Sequence, residues 1–253
     1  GDAGGLHRAE AVRGHDRAGA ITIPELFDKE NFDAVFIGNG AGLALKTGVP
    51  GEELKGVFTA EEYLRKGNLS QPIESGKNVV VVGGGNVAMD ASRMAFRLGA
   101  EKVRIVYRRT KNEMPACKAE LHEALEEGVE ILELKNPAEI LSDTNGRVEK
   151  IRLDLFELGE PDEQGRARPV KIEGKEEFID ADTVVLAIGS KVSSEIKDST
   201  PGLETNRNGT FIVQNSETGE TSCENVFVGG DALHGPQTVV LAMKTGRIAA
   251  KAI

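Results

Sequence analysis

Apolar positions fall along this chain in short unbroken runs, several of them closed by glycine. Val79 to Val82 are four β-branched residues in a row, after polar Lys77 and Asn78 and before Gly83, Gly84 and Gly85. Such a run suits a strand buried on both faces of a parallel sheet. Ala34 to Ile37, Thr183 to Ile188 and Val226 to Val228 have the same form, and each ends at glycine or one residue from it. Val103 to Tyr107 and Val129 to Leu134 read as further strands. Between these runs the spacing turns helical. Asn86 is placed to cap a helix through Val87, Ala88, Met89, Ala91, Met94, Ala95 and Leu98. A second helix begins at Thr59, with Glu61 and Glu62 in its first turn. A third runs from about Ala116 to Glu127 and is broken by Gly128. A short one follows Pro24.

From Arg147 the pattern becomes strict alternation. Ile151, Leu153 and Leu155 face one way, Arg152 and Asp154 the other, as in a half-exposed antiparallel strand. Gly159 to Arg168 reads as a polar loop, and Val170 to Ile179 completes a β-meander. Asn68 to Gly76 reads as a linker into the central unit. An echo links the two ends of the chain: Asp33-Ala-Val-Phe-Ile-Gly and Asp182-Thr-Val-Val-Leu-Ala-Ile-Gly are each acidic, then apolar, then glycine. This pattern suggests two related sheets, the second inserted into the first. Buried parallel strands of unrelated origin would look the same.

Composition narrows the function classes. The net charge of −10 disfavours nucleic acid and anionic membrane surfaces as partners. No apolar run reaches about 18 residues, so no membrane span is expected. No signal peptide is visible, and a cytoplasmic location is the expectation. Cys117 and Cys223 are far apart, with no C-x-x-C pair, so neither a dithiol centre nor a cysteine-ligated cluster can be built from them. His7, His15, His122 and His234 show no metal-ligand spacing. Residues 1–18 are rich in Gly, Ala, Arg and His and read as a flexible extension.

The chemistry gathers at the glycines. Gly83-x-Gly85-x-x-Ala88 between a strand and a helix is the dinucleotide-binding pattern. Gly83 permits the tight turn, Gly84 lies between, Gly85 lets the backbone approach a pyrophosphate, and Ala88 lets the helix pack on the strand. The helix start at Asn86 and Val87 offers unpaired N–H groups and a partial positive charge to the phosphates. The second strand ends at Tyr107, where NAD-binding units usually carry Asp or Glu for the ribose 2′-OH. Arg108 and Arg109 follow instead, with Lys102, Arg104 and Lys111 nearby, and guanidinium forks suit a 2′-phosphate. NADP is therefore favoured over NAD, the alternative being a solvated turn. In the last segment, Asn225-Val-Phe-Val-Gly-Gly-Asp231 reads as a strand, and a helix starts at Gly235-Pro-Gln-Thr. Asp231, after Gly230, can accept hydrogen bonds from polyol hydroxyls. The helix start at Gln237, Thr238 and Val239 can stabilise negative charge on a flavin ring. A surface aspartate capping a turn is the plain alternative.

Three separated stretches, GKNVVVVGGGNVAMDASRMAFRLGA, VYRRTKNEMPA and VFVGGDALHGPQTVVLAMKTGRIAAKAI, occur in one order. Over about residues 20–253 the chain resembles the small (beta) subunit of NADPH-dependent glutamate synthase and its relatives in the pyridine nucleotide-disulfide oxidoreductase superfamily. The NADPH-binding subunit of ferredoxin:NADP oxidoreductases is one of them. The resemblance implies an α/β fold: a Rossmann-like NAD(P)-binding domain with a β-meander, inserted in an incomplete FAD/NAD(P)-binding domain. The implied boundaries are 19–75 for the first part of the FAD-binding domain, 76–195 for the NADPH-binding domain and 196–253 for the C-terminal part of the FAD-binding domain. Gly189 and Gly40, which follow the two echoing strands, join the cofactor-binding set. The family's cysteine-rich cluster domain and its N-terminal FAD turn are missing, and Gly38-Asn39-Gly40-Ala41 stands where Ala-Thr-Gly-Ala is usual. The strands Ala34 to Ile37 and Val226 to Val228 are therefore expected to lack a central neighbour, which leaves a self-pairing or partner-covered edge.

The implied function is hydride transfer from NADPH to FAD, with electrons passing to iron–sulfur clusters outside this chain. FAD would be held only if the missing half were supplied. The cofactors carry such chemistry, so no catalytic side chain and no metal are expected. Implied partners are a large, glutamate-forming subunit or a ferredoxin-linked protein, with a homo-oligomer as a further option. The competing reading is a non-catalytic NADP-binding module. A disulfide reductase is disfavoured by the absent C-x-x-C.

Overall fold

A computed structural model describes residues 21–161 and 165–253 of the 253. The extension expected at residues 1–18 lies outside the described residues. The chain forms two compact units. Residues 42–190 make one, and the other is discontinuous, joining the described residues up to Ala41 to Lys191–Ile253. One unit is thus inserted in the sequence of the other, as the echo of strands suggested.

The unit of residues 42–190 is built on a five-stranded parallel sheet in the order Val57–Thr59, Thr183–Leu186, Asn78–Val82, Lys102–Tyr107, Glu130–Glu133. The four consecutive valines are buried by their alternation. Val79 and Val81 pack with Tyr63, Met89, Ala91, Ala95 and Ile105 under the helices Ala60–Asn68, Asn86–Arg97 and Lys118–Glu126. Val80 and Val82 point to the other face, against Ile140, Ile151, Leu153 and Ile179 of an antiparallel meander. All four are at most 2% exposed, so neither face could be polar without losing about 1.5–3 kcal/mol per side chain.

The meander consists of Lys135–Ser142, Val148–Pro161 and Ala167–Asp180. Its strands run on into the expected polar loop from both sides, taking in 159–161 and 167–168. Glu157 pairs with Val170, Leu158 with Pro169 and Pro161 with Ala167. A ribbon that buries neither face can be polar throughout, which is why the alternation fades there while the ladder continues. Asp182 has a local role. Its carboxylate accepts the N–H of Lys77 at 2.8 Å and of Asn78 at 3.0 Å, tying the starts of two neighbouring strands together. Asp33, its counterpart in the echo, is exposed.

The other unit holds a four-stranded sheet in the order Val35–Ile37, Val226–Val228, Glu220–Thr221, Val213–Asn215. Its core contains Ile23, Ile37, Leu203, Phe211, Val226 and Val228. Val35–Ile37 and Val226–Val228 are direct parallel neighbours, Val35 opposite Val226 and Ile37 opposite Val228. No strand stands between them, as expected, and their direct pairing satisfies the backbone groups that a central neighbour would otherwise meet. The helix Val239–Ala252 follows, with the Thr238 hydroxyl accepting the Leu241 N–H as its N-cap.

Candidate cofactor-binding sites

The glycine turn leaves the strand Asn78–Val82 at its C-terminal end. Gly83 has φ +139°, and a Cβ there would lie 2.2 Å from the Ala187 carbonyl oxygen. Its N–H donates to the Val106 carbonyl at 3.1 Å, and the Ala187 N–H donates to the Val82 carbonyl at 2.8 Å. The turn is therefore wedged among three strand ends. A Cβ on Gly84 would strike the Tyr107 ring at 2.6 Å. Gly85 is different: it is extended, and a Cβ there would meet nothing within 4 Å.

Gly85, not Asn86, is the N-cap of the helix Asn86–Arg97, and no side chain caps that end. Asn86 is the first helical residue, and its Oδ1 accepts the Cys117 N–H at 2.7 Å, pinning the Met114–Cys117 segment beside the turn. The first turn carries no acidic residue. Asn86 and Val87 thus present N–H groups at the positive end of a helix dipole with no carboxylate to compete. Ala88 is fully buried where the helix meets the sheet. An open Cβ direction at Gly85 beside uncapped N–H groups fits a pyrophosphate.

The two arginines after Tyr107 part company. Arg108 is exposed, and among the described residues no hydrogen bond or ion pair holds it. Arg109 is buried, and its Nε donates to the Ala167 carbonyl of the meander at 2.8 Å. The other basic residues of the cluster also disperse. Lys102 begins the strand and pairs with Glu130, while buried Arg104 donates to the Asp180 carbonyl. Lys111 is exposed, with its N–H on Glu133. Arg108 and Lys111 are left at the edge where the strands end. Gly189 is exposed at φ +105°, two residues past Ala187, and its carbonyl accepts the Leu45 N–H.

The discontinuous unit carries a second candidate site, a groove of about 320 Å³. It brings together Gly40, Gly230, Asp231, Gln237, Thr238 and Val239. Gly40 is at φ +73° with open space at its Cβ, and Gly230 is at φ +64°. One oxygen of Asp231 accepts the Gln237 N–H at 3.1 Å, which folds the loop back onto the strand end. Phe36 was not singled out by sequence. Its ring lines the groove so closely that a Cβ on Gly38 or Gly229 would come within 2.9 Å of it. A groove lined by glycines beside the N-terminus of a 14-residue helix fits part of a flavin nucleotide.

Among the described residues no group of His, Cys, Asp or Glu could hold a metal ion, and no helix is long and apolar enough to cross a membrane. Cys117 and Cys223 are both free.

A family model described as pyridine nucleotide-disulphide oxidoreductase matches residues 6–246. Similar curated proteins include the glutamate synthase [NADPH] small chain of Halomonas elongata, 39% identical over 88% of this chain and 50% of that protein. The NADP(+)-dependent formate dehydrogenase subunit beta of Moorella thermoacetica is 40% identical over 92% of this chain and 32% of that protein. The NADPH-Fe(3+) oxidoreductase subunit beta of Geobacter sulfurreducens is 36% identical over 92% and 38%. This chain thus spans half or less of the length of these relatives. Among solved structures, FprA of Mycobacterium tuberculosis in complex with NADPH shares the fold at TM-score 0.70 and 22% identity, over 88% of this chain and 63% of that one.

Proposed function

We propose that this chain, which belongs to the pyridine nucleotide-disulphide oxidoreductase family, binds NADPH and passes its reducing equivalents to FAD as a subunit of a larger oxidoreductase. The uncapped turn at Gly85, followed one strand later by exposed Arg108 in place of an acidic residue, carries this reading. When bound, the two cofactors would supply the redox chemistry, NADPH as hydride donor and FAD as acceptor.

The chain's own residues hold and orient. Gly83 and Gly84 fix the turn, Gly85 admits the pyrophosphate, and Asn86 and Val87 donate their N–H groups to it. Arg108 holds the 2′-phosphate, a role supported by its having no other partner among the described residues. In the other unit, the second oxygen of Asp231 would accept from ribityl hydroxyls, and the helix start at Thr238 and Val239 would favour negative charge on the flavin. No side chain is asked to act as acid or base. We place the nucleotide domain at 42–190 rather than 76–195, because Val57–Thr59 is hydrogen-bonded into its sheet. The flavin domain then takes the segments on either side.

The relatives' names as small chain and subunit beta support a partner subunit; we propose that it takes electrons through iron–sulfur clusters, as a large glutamate-forming chain or a ferredoxin-linked one. The alternative is an NADP-binding module without flavin chemistry.

Anaerobic addition of NADPH to the FAD-reconstituted chain tests the reading: flavin absorption should bleach. NADPH binding without bleaching would support the module instead. Arg108→Ala should weaken NADPH by about 1–2 kcal/mol, one exposed charge-assisted contact, and leave NADH unchanged in titration calorimetry. Equal losses for both nucleotides would remove Arg108 from the 2′-phosphate.

A further inference from the structure

The long hairpin of the meander continues beyond the parallel sheet on one side only. Glu133 pairs with Tyr107, the Leu134 N–H donates to the Arg109 carbonyl at 3.1 Å, and the Phe156 N–H donates to the Leu134 carbonyl at 2.8 Å. Phe156 therefore stands level with the chain just past the end of Lys102–Tyr107. From there the ladder runs on through Glu157 and Val170 to Pro161 and Ala167. This distal arm rises over the C-terminal edge of the sheet, the edge at which open α/β folds bind ligands. It does so beside the second strand, where Arg108 lies.

Arg109 ties the arm to that place. Its guanidinium is buried, with Nε on the Ala167 carbonyl at 2.8 Å. Ala167 is flanked by Arg166 and Arg168, both exposed. In this unit Arg93, Arg97, Arg147 and Arg152 are each held by carboxylates. Arg168, like Arg108, has no ion pair or hydrogen bond from its side chain among the described residues. Glu157 and Glu160 on the opposing strand are exposed and do not pair with it among those residues.

We infer that the distal arm forms one wall of the 2′-phosphate subsite, with Arg168 as a second specificity-determining cation and Arg109 as the positioning residue that holds the arm through Ala167. The inference rests on the NADPH reading above. It assigns the adjacent arginines different tasks: Arg108 contacts the phosphate, while Arg109 acts through the backbone of the arm. Two guanidinium groups from opposite sides would clamp a dianionic phosphate more selectively than one.

Calorimetric titration of the full chain with 2′,5′-ADP and with 5′-AMP tests it, because the probes differ only in the 2′-phosphate. Arg168→Ala should weaken 2′,5′-ADP about tenfold and leave 5′-AMP unchanged. Arg109→Ala should lower the same ratio, and Arg109→Lys, which can still donate to the Ala167 carbonyl, should restore part of it. A merely structural role for Arg109 would weaken both probes together. The inference is overturned if Arg168→Ala leaves the ratio unchanged while Arg108→Ala lowers it. If the unaltered chain binds both probes equally, or neither, the NADPH reading fails and the inference falls with it.

Discussion

Gly85→Val is expected to abolish NADPH binding and to leave the fold standing. Gly85 is already extended, with φ −90° and ψ 178°, a conformation that β-branched residues adopt readily. A Cβ there meets no protein atom within 4 Å, so no overpacking follows. Replacing a glycine N-cap by a residue with no capping group costs about 0.5–1 kcal/mol, well inside the stability of an ordinary domain. The binding cost is of another size. The new side chain fills the direction through which phosphate oxygens would reach the N–H groups of Asn86 and Val87. Losing two charge-assisted hydrogen bonds at about 1.5–3 kcal/mol each weakens binding at least a hundredfold. Circular dichroism with thermal melting would check the fold, and nicotinamide fluorescence titration the binding. Undiminished NADPH affinity in a folded variant would place the pyrophosphate elsewhere.

That contrast was legible in the sequence because both features are local. The order strand, three glycines, helix names the turn, and the alternation of Val79 to Val82 follows from burial on two faces. The insertion of one unit in the other was legible from the echo around Asp33 and Asp182. The direction of neighbouring side chains was not. Arg108 and Arg109 are adjacent in sequence, yet one is exposed and the other is buried against Ala167, a residue 58 positions away. Only the pairing of the meander decides that, and the register of a polar hairpin carries little sequence signal. The N-cap was missed by one residue for a related reason. Asn86 is a good cap by type, but its side chain is engaged by the Cys117 N–H, a tertiary contact that overrides the local preference. Phe36 went unremarked because a phenylalanine inside an apolar run reads as core, whereas here its ring lines the groove between two glycines.

Gly83→Ala should have the opposite profile to Gly85→Val: a large loss of stability, with the binding contacts themselves untouched. At φ +139° an alanine is strained, by about 1–2 kcal/mol. Its methyl would also sit 2.2 Å from the Ala187 carbonyl oxygen, and that neighbour is not free to withdraw. Ala187 is held by its N–H on the Val82 carbonyl at 2.8 Å, immediately before the turn. Relief of the clash must therefore prise the end of Thr183–Leu186 away from Asn78–Val82, at the centre of the sheet. Overpacking of this kind costs about 1–3 kcal/mol, so the total is roughly 2–5 kcal/mol. Gly99→Ala separates the two causes. Gly99 is at φ +95° with nothing within 4 Å of its Cβ, so only the backbone strain of about 1 kcal/mol applies. Urea unfolding of the two variants beside the unaltered chain gives both numbers. If Gly83→Ala loses no more than Gly99→Ala, the ends of these strands part freely, and the turn does not depend on being wedged between Val106 and Ala187.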